Sequence, residues 1–418
     1  MIDYTRFTLD NGLRVVHNYD PSTAMVAVDT LYDVGSRDES PELTGLAHLF
    51  EHLMFGGSAH IPDFDAEMER AGGINNASTS CDFTNFYDVA PAVNLETLLW
   101  LESDRMLGLA FSPQSLEVQR SVVIEEFKQT HLNRPYGDMS HHLRRLLYKT
   151  HPYRYPTIGK EVSHIERVTM DDVKAFFYSH YAPNNAVLAV SGNVAPDECR
   201  RLVEKWYGGI PRRDIAPRRL PREPRIEAPR RAVVRGDVPR AMVVAAFPMP
   251  GYGEEGYIEA DLITDILASG RSSRFYSRLL GFNPLFAEAD ASIIGSEEPG
   301  FLMLKAQLNE GMETRADEAL EAMLAEAYAL REPAAPGTPG GVSQDEVTRA
   351  VNRYVSNAEF AAISNLGRAE ALAMAEMHGE DVNSLVGRYR SVTVDSVARA
   401  AAAILDPSRL CVLTYLPA

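Results

Sequence analysis

The sequence predicts an α+β protein of two domains built on one plan, and three observations carry that prediction. Strand-like alternation gives way to helical periodicity and then to strands again, an order that suits segregated α+β layers better than a βαβ repeat. The composition breaks sharply in "GGIPRRDIAPRRLPREPRIEAPRR", residues 208–231, which is dense in Pro and Arg and has no apolar period. After that break the order of strands and helices begins again. At 418 residues the chain is also too long for a single core. The expected division is a first domain over residues 1–213, a linker over 214–231 and a second domain over 232–418. Each domain is expected to be an antiparallel-rich sheet packed with helices.

The N-terminal stretch "TRFTLDNGLRVVHNYDPSTAMVAVDTLYDVGS" alternates apolar and polar residues, with Asn11-Gly12 as a hairpin turn between antiparallel strands. Residues 44–56 read as a helix, because Leu46, Leu49, Phe50 and Leu53 fall at the 3.6 period and Gly56-Gly57 stop it. Periodicity predicts further helices at 63–71, 94–108, 113–131, 138–148 and 169–180, then a strand at 186–192. Beyond the linker come strands in "RAVVRGDV" and "RAMVVAAFPM", a helix at 255–268, strands in "EADASIIG" and "GFLMLKAQL", and helices at 312–330, 343–357 and 363–378. The Pro and Gly of "REPAAPGTPGG", residues 331–341, exclude a helix and predict a mobile loop without an assigned role.

The formal net charge of −17 argues against a phosphate backbone or an anionic membrane surface as the main partner. No uninterrupted apolar run approaches bilayer length, so no membrane span is expected. The first residues lack the basic and apolar regions of a secretory signal, which points to the cytoplasm, or to the periplasm had a leader been removed. Cys81, Cys199 and Cys411 are odd in number and far apart, which predicts neither a disulfide framework nor a metal cluster.

Chemistry concentrates in "GLAHLFEHLMFGGS", residues 45–58. On a helix His48 and His52 are i and i+4, so both rings leave one face, with Glu51 beside them. Two imidazoles at that spacing can bind one metal ion, and a catalytic zinc site needs a third protein ligand and an open fourth position. The adjacent carboxylate can then act as general base toward a water molecule. The bland alternative makes the histidines incidental polar residues at the edge of a core helix. Their place inside an apolar run argues against it, since unpaired buried imidazoles are costly.

H-x-x-E-H is the inverzincin signature, and here the sequence resembles the pitrilysin family of metallopeptidases, which includes insulin-degrading enzyme and the mitochondrial processing peptidase. The resemblance runs along the whole chain. It is carried by "VGSRDESPELTGLAHLFEHLMFGGS", "AGGINNASTSCDFTNFY", "WLESDRM", "HPYRYPTIG", "YAPNNAVLAVSGNV" and "GRSSRFYSRL", in that order. It implies a zinc endopeptidase with one Zn²⁺ per chain, a peptide substrate, and a two-domain chain forming half of a clamshell chamber. The family's third ligand is a glutamate on a later helix in a pattern like R-x-V-V-x-x-E, and the matching residue in "QRSVVIEEFKQ" is Glu126. Neighbouring Glu125 is the competitor; adjacent helical residues point about 100° apart, so only one can face a metal. Gln119 stands where the family often has an acidic residue and is expected around the ligands; Glu125 is expected to be solvated or around the ligands rather than on the metal. The resemblance further implies that Asn76, Ala77 and Ser78 lie on an edge strand to which a peptide adds as another strand. His131, His141, His142, His164 and His180 are expected on helix surfaces or ends, outside the site.

One departure matters. Family members complete the site with an Arg and a Tyr from the C-terminal half, groups suited to stabilising an oxyanion. Aligned without gaps, these fall on Leu280 and Ala287. Arg271, Arg274, Tyr276 and Arg278 lie nearby but fit only with a shifted alignment, so structural or surface roles are expected for them. The resemblance therefore points to the catalytic subunit of a heterodimer whose homologous partner lacks zinc and supplies the Arg and Tyr. A homodimer active alone and a non-catalytic scaffold subunit are the alternatives; intact His48, Glu51, His52 and Glu126 weigh against the scaffold.

Overall fold

A computed structural model describes residues 1–335 and 340–418. The expected loop 331–341 thus lies partly outside the described residues. The described residues form two compact units whose segments interleave along the chain: 1–129, 155–220 and 358–385 in one, 130–154, 221–357 and 386–418 in the other.

The first unit is built on a six-stranded sheet of β1 (Thr5–Thr8), β2 (Arg14–Tyr19), β3 (Met25–Tyr32), β4 (Ile74–Thr79), β5 (Thr84–Pro91) and β6 (Ala186–Gly192). Their spatial order is β1-β2-β6-β3-β5-β4. All neighbours are antiparallel except β2 and β6, which run parallel with Arg14 opposite Val187 and Tyr19 opposite Gly192. The expected hairpin joins β1 to β2. The second unit carries β7 (Arg230–Gly236), β8 (Met242–Pro248), β9 (Phe286–Ile294), β10 (Phe301–Leu308) and β11 (Cys411–Pro417), in the order β7-β11-β8-β10-β9. It repeats the plan of the first: a parallel pair, β7 with β11, then antiparallel neighbours out to the edge strand β9. The α+β class with one plan used twice is thus seen strand by strand.

Central position explains composition. Strand β6 is buried throughout, because Ala186, Leu188 and Val190 face one apolar cluster while Val187 and Ala189 face another. The second cluster is closed by Ala369, Leu372 and Ala373 of the helix Asn365–Met377, which reaches the first sheet from far along the chain. On the other face lie α1 (Leu46–Leu53), α2 (Phe64–Arg70), α3 (Leu95–Leu107) and α4 (Pro113–Phe127). Local chemistry sets their starts. The Asp63 side chain accepts from the Ala66 amide ahead of α2, and Ser112 accepts from Ser115 with Pro113 at the first position of α4. The helix expected over 113–131 is α-helical to Phe127 and continues as a wider π-type turn over Lys128–Leu132.

The core behind α1 contains a buried ion pair. Arg105 and Glu102, both fully buried on α3, are hydrogen-bonded, and the guanidinium lies 4.4–5.1 Å from the ring centres of Phe55, Phe64 and Phe86. Removing one partner leaves a buried charge unpaired, so Arg105→Ala is expected to destabilise this unit by about 3–5 kcal/mol. Both tryptophans, Trp100 and Trp206, lie in this unit, so their fluorescence during urea unfolding checks the prediction.

Candidate metal centre

α1 is a two-faced helix. Leu46, Leu49, Phe50 and Leu53 are buried, with the Phe50 ring stacked 4.3 Å from Tyr181 and parallel to within 25°. That packing fixes the helix about its axis and leaves His48, Glu51 and His52 on the partly exposed side. The two imidazoles sit 4.9 Å apart, edge to face. α4 brings the third group: Val123 and Phe127 are buried one turn apart, and the intervening Glu126 turns toward the histidines. Its Oε2 lies 3.7 Å from His48 Nε2 and 3.5 Å from His52 Nε2.

These three ligand atoms lie within 4.8 Å of one another, and among the described residues no other group of three His, Cys, Asp or Glu side chains is so placed. Zinc–ligand bonds of 2.0–2.2 Å put neighbouring corners of a tetrahedron about 3.3–3.6 Å apart. The two spacings to Glu126 come close to those values, and two imidazoles with one carboxylate form a donor set that zinc accepts. Burial lowers the pKa of His52, while Glu126 and a hydrogen bond with Gln119 oppose the shift. The net effect favours the neutral ring that a metal requires.

Glu51 stands beside this cluster. Burial raises its pKa, the Thr79 hydroxyl donating to Oε2 at 2.5 Å lowers it, and the Glu126 charge raises it further. Gln119, expected around the ligands, reaches His52. Glu125 takes the solvated alternative: its side chain is 61% exposed and pairs with Lys128 at 2.6 Å. The 100° step between neighbouring helical residues that turns Glu126 inward turns Glu125 out.

Asn76, Ala77 and Ser78 lie on β4, the edge of the first sheet, which among the described residues pairs only with β5. Asn76 and Ser78 are exposed, while Asn75, Ala77 and Thr79 are half-buried on the alternate face. The Ala77 amide is held by the Oδ1 of Asn76 at 2.9 Å. Thr79, which ties this strand to Glu51, is absent from the sequence reading; its period-two match with Ala77 was the available signal. Glu39 is also absent from that reading. Its two carboxylate oxygens accept from the Gly45 amide at 2.9 Å and the Ala47 amide at 2.7 Å, at the start of α1.

In the second unit Arg274 is buried, pairs with Glu346 at 2.7 Å and bonds the carbonyls of Gly340 and Gly341. Arg278 pairs with Glu326 at 2.6 Å, Arg271 and Tyr276 are exposed, and Leu280 and Ala287 bring no polar group. Two of the histidines expected on helix surfaces or ends, His141 and His164, lie in terminal turns and are buried. The Nδ1 of His164 sits 3.0 Å from both the amide and the hydroxyl of Thr44. Interior hydrogen bonding, invisible to helical periodicity, takes His164 off the surface.

Residues 14–161 match the model for insulinase, peptidase family M16, and residues 167–354 match the model described as the peptidase M16 inactive domain. The chain is 32% identical over 288 residues to the zinc protease PqqE of Helicobacter pylori, a match covering 68% of this chain and 65% of that protein. It is 29% identical over 205 residues to the uncharacterized zinc protease YmxG of Bacillus subtilis, covering 49% of each. The chain thus spans less than two thirds of the length of these curated relatives. The crystal structure of a protease from Helicobacter pylori superposes with a TM-score of 0.89 at 25% identity, covering 100% of both chains. With two models of one family matched in succession and that fold shared, the chain belongs to peptidase family M16.

Proposed function

We propose that the chain is a zinc-dependent endopeptidase acting on oligopeptides or unfolded segments. The observation that carries this reading is the convergence of His48, His52 and Glu126 to zinc spacing with the Glu51 carboxylate beside them. His48, His52 and Glu126 would hold the ion, which when bound supplies Lewis acidity toward a water molecule and the scissile carbonyl. Glu51 takes the proton from the attacking water and returns it to the leaving amine. The Thr79 hydroxyl donates to Oε2 of Glu51 and helps hold the carboxylate in place. The open edge of β4 binds the peptide backbone by strand addition, with Asn76, Ala77 and Ser78 alongside it; recognition of backbone rather than side chains tolerates varied sequence. Folded proteins guard their own sheet edges against such pairing, which leaves unstructured segments as the natural occupants.

In this reading the chain brings no Arg and Tyr pair to the oxyanion beside the metal. Arg274 and Arg278 are committed to Glu346 and Glu326, and Leu280 and Ala287 stand at the aligned positions. The chain is therefore proposed as the catalytic subunit of a pair, its homologous partner lacking zinc and supplying an Arg and a Tyr. The test is hydrolysis of unstructured peptides by the zinc-loaded chain, alone and mixed with a homologous chain that lacks H-x-x-E-H and keeps the Arg/Tyr pair. The mixture is expected to be faster by about 10²–10³, the effect of oxyanion donors. Equal rates with and without the second chain would overturn the pairing and favour a homodimer active alone. No hydrolysis in either preparation would overturn the peptidase reading.

A further inference from the structure

We infer that Glu39 is a positioning residue for the metal centre: it holds the first turn of α1, and through that turn the place of His48, so that it sets the affinity for zinc. The inference rests on the reading of His48, His52 and Glu126 as metal ligands and deepens it.

A helix start leaves four backbone amides without helical partners, and a side chain at the preceding residue normally caps them. α1 begins after Gly45, which has no side chain and adopts φ +88°, a left-handed conformation that favours glycine. A capping residue does not fit there, because a Cβ on Gly45 would stand 2.8 Å from the carbonyl oxygen of Ile158. The cap must come from elsewhere, and Glu39 supplies it: one carboxylate oxygen accepts from the Gly45 amide, the other from Ala47. His48 is the very next residue, in the first turn of a helix only eight residues long.

The position of Glu39 is itself fixed. The Gly35 amide donates to Asp38 at 3.1 Å and caps the short turn Ser36–Asp38 just before Glu39. Thr44 is bonded to His164, and its hydroxyl accepts from the Lys160 amide at 2.8 Å. The entry to α1 is thus pinned on both sides of its cap. Loss of the cap frays the turn that carries His48, and metal binding must then re-form that turn at the expense of affinity.

The test uses the full chain, stripped of metal and titrated with Zn²⁺ against a chromophoric chelator. Glu39→Gln keeps the shape and leaves one carbonyl oxygen for two amides. Expected results are zinc binding weaker by about tenfold and, in the metal-free protein, faster hydrogen exchange at the Gly45 and Ala47 amides. Asp63→Ala, which removes the cap of α2, is the control and should leave zinc affinity unchanged. Tryptophan fluorescence in urea confirms that each variant folds. Zinc affinity of Glu39→Gln within twofold of wild type, or an equal loss in Asp63→Ala, would overturn the inference. A wild-type chain that binds no zinc would instead overturn the underlying reading of the site, before any variant is compared.

Discussion

Replacing Glu51 by Gln is expected to remove peptide hydrolysis by at least about a hundredfold in kcat while leaving the zinc content unchanged. The amide keeps the shape of the carboxylate and can still accept from Thr79, but it cannot take a proton from water. Its effect should therefore fall on the chemical step and not on peptide binding at β4. Stability supplies a second check. Burial raises the Glu51 pKa in the metal-free protein, so the buried charge costs folding energy at pH values above that raised pKa, and lowering the pH relieves the cost. Gln never carries that charge, so the metal-free variant should be at least as stable as wild type at pH 7. A variant that keeps activity would show that another group is the base; thermal melting of both metal-free proteins reads the stability arm.

The pair Glu125 and Glu126 gives the second large effect. Glu126→Gln removes the anionic ligand and is expected to weaken zinc binding by more than about a hundredfold, beyond the cost of changes around the ligands. Glu125→Gln breaks an exposed pair with Lys128 and should change affinity less than about twofold. Two neighbouring residues of one chemical type thus separate the site from the solvated face of α4. Equal effects at both positions would contradict the placement of Glu126, and chelator competition measures each directly.

Local pattern carries much of this fold. The apolar residues of α1 fall at helical period and are buried, and the alternation around Asn11-Gly12 becomes the β1–β2 hairpin. His48, Glu51 and His52 are legible because a helix puts i and i+4 on one face, a rule that needs no tertiary information. Glu126 is different: its distance along the chain hides it from local rules, and the family pattern selects it. What stays illegible is long-range. Nothing in "NLGRAEALAMAEM" shows that this helix covers the first sheet; its small Ala face suits a close approach to β6, but many partners would accept it. The acceptance of the Gly45 and Ala47 amides by Glu39 and the Thr79–Glu51 bond belong to the same class. Other elements were signalled but absent from the expectation. Pro196–Tyr207 has Pro at its first turn and two acidic residues beside it, the ordinary marks of a helix start. Val394–Ile404 opens with a Thr393–Ser396 capping box, and β11 is a short apolar run that becomes a strand only between β7 and β8.

The most direct test of the central claim is to locate zinc in crystals of the zinc-loaded chain by anomalous scattering at the zinc absorption edge. The account predicts one strong peak within about 2.0–2.2 Å of His48 Nε2, His52 Nε2 and a Glu126 carboxylate oxygen, with an open position facing Glu51. A peak elsewhere, or none at these three side chains in protein shown to contain zinc, would contradict it.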